Sequence, residues 1–377
     1  MGNQELHRGL EGIAVAETRL STIDGEAGEL SIGGYPVAEL AKNAIYEESV
    51  FLLFNNRLPT KSELESFCTE LAGYRNISTE VKQVLRRAAR ENADPMDALR
   101  MGVAAANLGC DVTESTELAK RLVSVIPTIV TTYWRYRSGK EPVDPREDLG
   151  HTANYLYMLS GEEPDPEAVR GLETYLNTVV DHGLNASTFV ARSIASSDSD
   201  LVSAVTGAVG SLKGSLHGGA PGPVLEMLLT ADDSGDPEGY VQEKLDSGER
   251  LMGFGHRVYQ TRDPRAEVLS HAAERFYSGS DDRAFFGFVE EFEETVVSRL
   301  ADHRPDRNLD TNVEFYTAVL LHGVDIPREL FTTTFAMSRV GGWTAHCLEQ
   351  LADNKIIRPL SIYTGDRGRS WTPVDSR

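Results

Sequence analysis

The sequence predicts an all-α protein with a small β element near its N-terminus. Apolar residues recur at helical spacing along most of the 377 residues. Alternation of apolar and polar residues, the mark of a half-buried strand, is nearly confined to the start of the chain. The hydrophobic fraction of 40% supports a sizeable core, and the length allows a large domain with a smaller one attached.

The elements follow in order. Ile13-Ala14-Val15-Ala16 and Ser31-Ile32-Gly33-Gly34-Tyr35 read as short strands. Glu39 to Asn56 reads as one helix, with Leu40, Ile45, Val50, Leu53 and Phe54 near helical spacing and a stop before Pro59. Thr60-Lys61-Ser62-Glu63 has the pattern of a capping box and opens a helix whose stripe is Leu64, Phe67, Cys68 and Leu71. Helices are expected over 80–92, 95–109, 115–137, 148–160, 166–180, 187–196, 199–212, 221–230, 237–246, 263–277, 283–302, 311–322 and 328–352. Asp94-Pro95 and Ile126-Pro127 signal boundaries or kinks. Gly102-Val103-Ala104-Ala105-Ala106 and Thr206-Gly207-Ala208-Val209-Gly210 permit close helix approach, in the core or across a subunit interface.

Charge bounds the function. Asp+Glu 58 against Lys+Arg 37 gives a net charge of -21. Such a surface repels nucleic acid and anionic membranes. No run approaches the ~20 apolar residues of a membrane helix. Met1-Gly2-Asn3-Gln4-Glu5-Leu6 has no apolar signal core, and Leu6 stands where a myristoylation signal has Ser or Thr. A cytoplasmic location is expected. Eight lysines stand against 29 arginines. Acid excess with few lysines suggests adaptation to high salt, where a Debye length of ~3 Å at 1 M removes self-repulsion. Cys68, Cys110 and Cys347 are far apart, with no CxxC, so neither a cysteine-rich zinc site nor a disulfide framework is expected.

Three histidines lie in glycine-flanked turns between helices. They are His182 in Asp181-His182-Gly183-Leu184-Asn185-Ala186-Ser187-Thr188, His217 in Leu212-Lys213-Gly214-Ser215-Leu216-His217-Gly218-Gly219-Ala220-Pro221, and His256 in Met252-Gly253-Phe254-Gly255-His256-Arg257-Val258-Tyr259. Glycine there lets backbone or ligand come close. A lone histidine in such a turn is more often structural; three of nine are a stronger signal. Metal binding is a poor rival, since no companion ligands stand at the required spacing. Ser187 and Ser215 offer hydroxyls, but no Gly-x-Ser-x-Gly elbow exists. Neither phosphate-loop pattern is present.

In order and spacing, the three histidine segments resemble the citrate synthase family. So do Arg262-Asp263-Pro264-Arg265, Asn312-Val313-Glu314-Phe315-Tyr316, Phe335-Ala336-Met337-Ser338-Arg339, Gly342-Trp343-Thr344-Ala345-His346 with Cys347-Leu348-Glu349-Gln350, and Ile357-Arg358-Pro359. The resemblance runs from about Leu10 to Gly365 and matches the shorter bacterial and archaeal type.

The resemblance implies a two-domain helical fold, with residues 1–216 and 325–377 as a large dimerising domain and 217–324 as a small domain closing over the substrates. It implies an acyltransferase of the tricarboxylic acid cycle that joins oxaloacetate, acetyl-CoA and water into citrate through citryl-CoA. Glu314 takes the place of the base that removes a methyl proton. His217 resembles the histidine that bonds the thioester oxygen, and His256 the one that polarises the ketone of oxaloacetate. His182 matches a further oxaloacetate histidine, with Asn185 as a supporting contact. Arg265, Arg339 and Arg358 match three substrate arginines, Arg358 reaching across a homodimer. Arginine suits carboxylates because its planar fork bonds both oxygens. Leu251-Met252-Gly253-Phe254-Gly255 resembles the loop that receives the CoA adenine, and Arg257 and Arg262 are candidates for CoA phosphates. Coenzyme A enters as co-substrate; no permanent cofactor and no metal are implied.

Two positions depart from the pattern. Most members carry aspartate where this chain has Glu314, and a minor bacterial class carries glutamate; the extra methylene shifts the carboxylate by about a bond length. Gln260 stands where a basic residue is common. His346, His151, Trp343 and Tyr316 read as structural. The alternatives are 2-methylcitrate synthesis from propionyl-CoA, by the same chemistry, and a non-catalytic paralogue that binds CoA or oxaloacetate.

Overall fold

A computed structural model describes residues 6–108, 112–218, 221–255, 259, 261–280, 282–306 and 309–377. The described chain is helical apart from one small sheet. Three antiparallel strands, β1 (Ser21–Asp24), β2 (Glu29–Ile32) and β3 (Tyr35–Pro36), lie in the order β1-β2-β3. Ser21 pairs with Ile32 and Asp24 with Glu29. The Asp24 carboxylate makes the turn by accepting the Glu26 and Ala27 amides at 3.0 and 2.9 Å. Leu30 and Ile32 of β2 are buried. The strand expected at Ile13–Ala16 is absent, because that segment is largely exposed and has no ladder partner.

The helix expected over Glu39–Asn56 is two helices, α1 (Val37–Asn43) and α2 (Tyr46–Asn55). Ala44 and Ile45 are extended between them. Tertiary contacts fix the break. Asn177 Nδ2 donates to the Ala44 carbonyl at 2.7 Å, and Glu48 accepts the Ile45 amide at 2.9 Å. Periodicity sees the shared apolar face but not the carbonyl drawn off by a distant side chain.

The capping box at Thr60 opens α3 (Lys61–Gly73), with Glu63 Oε2 accepting the Thr60 amide at 2.8 Å. Then come α4 (Thr79–Arg90), α5 (Pro95–Ala104) and α6 (Ser115–Arg137). Asp94 caps α5 ahead of Pro95, as expected. Pro127 does not break α6. An interior proline costs about 3 kcal/mol, but residues 122–133 are buried without exception, and their packing outweighs it. The chain continues through α7 (His151–Ser160), α8 (Pro166–Val179), α9 (Ala186–Ala195) and α10 (Leu201–Leu212). It then forms α11 (Pro221–Ser234), α12 (Pro237–Asp246), α13 (Pro264–Ser278), α14 (Arg283–His303), α15 (Val313–Gly323) and α16 (Phe331–Ala352). No described helix is long and apolar enough to cross a membrane.

The centre of the core is α16 beside α6, with α8, α9 and α10 around them. Nearly every residue from Ala336 to Cys347 is buried. Small residues set the spacing. A Cβ on Gly102 would stand 2.4 Å from Ile129 of α6, and one on Gly207 would stand 2.3 Å from Ile194 of α9. Both small-residue clusters therefore serve packing within the chain. After α16, residues 353–377 run without regular structure apart from a short turn at Val374–Ser376, and expose Ile356, Leu360 and Trp371.

Helix α16 comes very close to the turn after α8 at Gly342. A Cβ there would lie 2.5 Å from both the Val180 carbonyl oxygen and Asp181 Oδ1. Backbone on one side and a buried carboxylate on the other leave no room to yield. Gly342→Ala is expected to destabilise by about 1–3 kcal/mol, read as a lower midpoint in thermal or denaturant melting; an unchanged midpoint would refute the close packing.

Candidate active site

Four chain segments converge around Arg339. The first joins α8 to α9. Asp181 is fully buried there. Its Oδ2 accepts Ser21 Oγ at 2.5 Å and the Gly183 amide at 3.3 Å. Its Oδ1 lies 3.2 Å from His346 Nε2. Arg192 donates to His346 Nδ1 at 3.1 Å, so the ring proton sits on Nε2, facing the carboxylate. Burial alone would raise the Asp181 carboxyl; His346, Ser21 and Arg339 outweigh it and hold it below its usual range. His182 follows on this fixed strut, Gly183 takes φ 58°, and His182 Nε2 meets the Tyr259 hydroxyl at 3.1 Å.

Asn185 caps α9. Its Oδ1 accepts the Thr188 amide at 3.2 Å and lies 2.9 Å from Ser187 Oγ, and its Nδ2 donates to Gly183 at 3.3 Å. Those bonds occupy the amide locally, so the geometry makes Asn185 a helix cap. The next turn presents Ser187. Its amide donates to His217 Nε2 at 3.2 Å, and its Oγ lies 2.8 Å from the same nitrogen. Trp343 Nε1 donates to that Oγ at 3.0 Å. Because a backbone N–H can only donate, Nε2 is the acceptor and the proton of a neutral ring sits on Nδ1. Burial, then the charge of Arg339, pushes the His217 imidazole down to about 4. His217 is thus a neutral ring with a fixed Nδ1–H donor.

The third segment is the start of α13. Asp263 caps it, accepting the Arg265 amide at 3.0 Å. Both carboxylate oxygens also hold the Arg265 guanidinium, through Nε at 3.0 Å and a terminal nitrogen at 2.8 Å. Asp263 Oδ2 further accepts the Val313 amide at 3.2 Å. One buried carboxylate therefore ties the start of α13 to the start of α15. The Tyr259 ring lies 5.6 Å from the Arg265 guanidinium.

The fourth segment opens α15. Asn312 caps it, accepting the Glu314 amide at 3.0 Å. Asn312 also donates to the Gly255 carbonyl at 2.8 Å, and its amide to Gly253 at 2.9 Å. Gly253 and Gly255 have φ 89° and 78°, and a Cβ on Gly253 would stand 3.1 Å from Phe315. Glycine is required here. Leu251 and Phe254 pack into the core and Met252 is partly buried against it. Glu314 stands in the first turn of α15, where the helix dipole favours its charge. Burial nevertheless dominates and pushes its carboxyl up to about 7, with Arg265 and Arg339 opposing and Asp263 adding to the rise.

Arg339 lies among these groups, buried on α16. Its Nε donates to the Val179 carbonyl at 2.7 Å, and its guanidinium stacks 4.5 Å from the Phe335 ring centre. Burial lowers it to about 10, against the pull of Asp181. Among the described residues, only its Nε has a protein acceptor, so the other donors are available to an anion.

The structure thus brings together His182, His217, Glu314, Arg265 and Arg339. His256 and Arg257 lie outside the described residues. Arg262 is paired at the surface with Glu293 at 3.0 Å. Arg358 is exposed on the C-terminal segment. Its neighbour Ile357 bonds Ser196 at the end of α9 remote from Ser187, roughly 15 Å away by helix rise. Ser187 was visible only as a candidate nucleophile, yet its bonds make it the partner that fixes the His217 ring. Trp343 and Asp263 also gain roles that no local pattern announces. His346 is structural, as expected. Among the described residues no group of three His, Cys, Asp or Glu could hold a metal ion.

Residues 9–360 match the family model described as citrate synthase, C-terminal domain. The chain belongs to the citrate synthase family. It is 44% identical to the citrate synthase of Haloferax volcanii, over 99% of each chain. It is 35% identical to a 2-methylcitrate synthase of Shewanella oneidensis, over 98% of this chain and 97% of the relative. Its fold superposes with TM-score 0.89 on the citrate synthase of Thermoplasma acidophilum in ternary complex with carboxymethyl coenzyme A and oxaloacetate. That pair is 28% identical, over 98% of this chain and 99% of the other.

The Asp263 junction is open to test. Asp263→Ala removes a capping acceptor and the carboxylate held by buried Arg265. The expected loss is about 3–5 kcal/mol in a denaturant melt; a loss below about 1 kcal/mol, the scale of an exposed ion pair, would contradict the reading.

Proposed function

We propose that the protein is a citrate synthase, condensing acetyl-CoA with oxaloacetate and water to give citrate and CoA. One observation carries the proposal: Glu314 lies among the buried arginines Arg265 and Arg339, its carboxyl raised by burial, in a site where the Ser187 amide orients the His217 ring to donate through Nδ1. A methyl group next to a thioester is a very weak acid. Removing its proton takes a base near neutrality and a donor on the thioester oxygen as charge develops. Glu314 is the base, and His217 Nδ1–H is the donor. Arg265 and Arg339 clamp the two carboxylates of oxaloacetate, with His182 beside them. The enol attacks the ketone carbon, where His256 is assigned the new alkoxide. Water then hydrolyses citryl-CoA.

The same reading assigns residues 217–324 to a small domain that closes on the rest. In its support, Glu314 and Arg265 stand on α15 and α13, whereas His182, Ser187 and Arg339 stand on α8–α9 and α16. We assign the chain to a homodimer in which Arg358 completes the neighbouring site. The exposed apolar residues of the C-terminal segment support a partner surface there. CoA enters as co-substrate, its adenine against Leu251–Gly255. A cytoplasmic location and working conditions of high salt agree with dispersed cysteines and the acidic surface.

The test is oxaloacetate-dependent thiol release from acetyl-CoA in molar potassium chloride. Glu314→Gln should cost on the order of 10²–10⁴-fold in kcat with both KM values nearly unchanged; retained activity would remove Glu314 as the base. The wild-type rate should climb with pH through about 7 and level off above, because only the ionised carboxylate accepts a proton and burial has raised its pKa. A rate already maximal two units lower would contradict that assignment. Propionyl-CoA in the same assay decides between citrate and 2-methylcitrate, since one methylene changes binding by only ~1–3 kcal/mol.

A further inference from the structure

Tyr175 of α8 is fully buried, and its hydroxyl has no hydrogen-bond partner. Buried hydroxyls left unpaired are unfavourable and uncommon. Its position is informative. Gly171, one turn earlier on the same face, is so close to α15 that a Cβ there would stand 3.3 Å from Leu320. Val179, one turn later, gives its carbonyl to Arg339. Tyr175 therefore lies between α15 and the guanidinium at the centre of the site.

Among the described residues, the charged and titratable groups that act on the hydroxyl are Glu314 from α15, Arg339 from α16, Tyr155 from α7 and Arg265 from α13. A phenol O–H needs an acceptor. The two arginines are donors only. The Tyr155 hydroxyl is bonded to Thr334 at 2.9 Å. Of the charged groups, the Glu314 carboxylate alone can accept, and among the described residues its oxygens have no hydrogen bond of their own.

We infer that Tyr175 is a positioning residue for Glu314: with substrates seated, its hydroxyl donates to one carboxylate oxygen and leaves the other facing the acyl methyl group. The inference rests on Glu314 being the base. A glutamate has one more rotatable bond than an aspartate, so its reactive oxygen gains more from a fixed donor. Arg265, Asp263 and Arg339 also face the carboxylate. A neutral donor adds orientation without adding charge.

Tyr175→Phe removes only the oxygen. Its kcat should fall by about tenfold, a small part of the 10²–10⁴-fold that a positioned general base supplies. A donor to a carboxylate stabilises the ionised form, so losing it should move the acidic limb of kcat upward by about one pH unit. Both KM values should stay at wild-type levels. The melting midpoint without substrates should not fall, since the oxygen has no partner to lose. Wild-type kcat and an unmoved limb would overturn the inference. So would a raised oxaloacetate KM at constant kcat, which would give the hydroxyl to the keto acid, and so would a variant that fails to fold. Glu314→Gln separates the layers: if it is active, the base assignment fails; if it is inactive while Tyr175→Phe is silent, only the positioning role fails.

Discussion

The pairing of Asp263 with Arg265 is the contact on which the site depends. Both side chains are out of water, and a lone buried charge of either sign would be strongly unfavourable. Together they form a neutral unit that can sit beside Glu314. The same carboxylate receives amides from two helix starts, α13 and α15. The arginine assigned to substrate and the carboxylate assigned to the methyl proton are thereby held in one frame. Their separation is set by backbone amides rather than by flexible side chains.

Burial then does opposite things to neighbouring groups. It raises Glu314, lowers His217 and lowers Arg339, because in each case the charged form loses hydration. The outcome is a carboxyl raised toward neutrality and an uncharged imidazole within a protein whose surface is strongly acidic. In the site, Arg265 is balanced by Asp263 while most of the Arg339 guanidinium has no protein acceptor among the described residues, so a small dianion would meet positive charge there after leaving an unfavourable exterior. Screening by salt acts on the exterior far more than on the buried groups.

Much of the fold was legible in the sequence, since long amphipathic helices announce themselves by period and cap. Thr60–Glu63 and Asp94-Pro95 behaved as local rules require. The failures share a cause. The break at Ala44 and the missing strand at Ile13 are decided by residues distant in sequence, whereas the expected helix over 115–137 forms unbroken through Pro127. The site divides the same way. His182 and His217 drew notice because glycine-flanked turns leave local marks; Arg265 and Arg339 were reached only through the family resemblance. The role of Ser187 was not readable, because it consists of one amide and one hydroxyl meeting a ring 30 positions away. Trp343 completes that contact from a third element.

The Asp181 junction also has a consequence for how the molecule is made. Its carboxylate is satisfied by Ser21, near the start of the chain, and faces His346, near its end. Contacts spanning 160 and 165 positions close late and slow a folding reaction. The loop that presents His182 therefore reaches its final form only when both ends of the polypeptide have docked. A nascent chain still lacking α16 would carry the histidine but not the strut that aims it, so catalytic competence arrives after synthesis is nearly complete, as a property of the finished molecule rather than of any part.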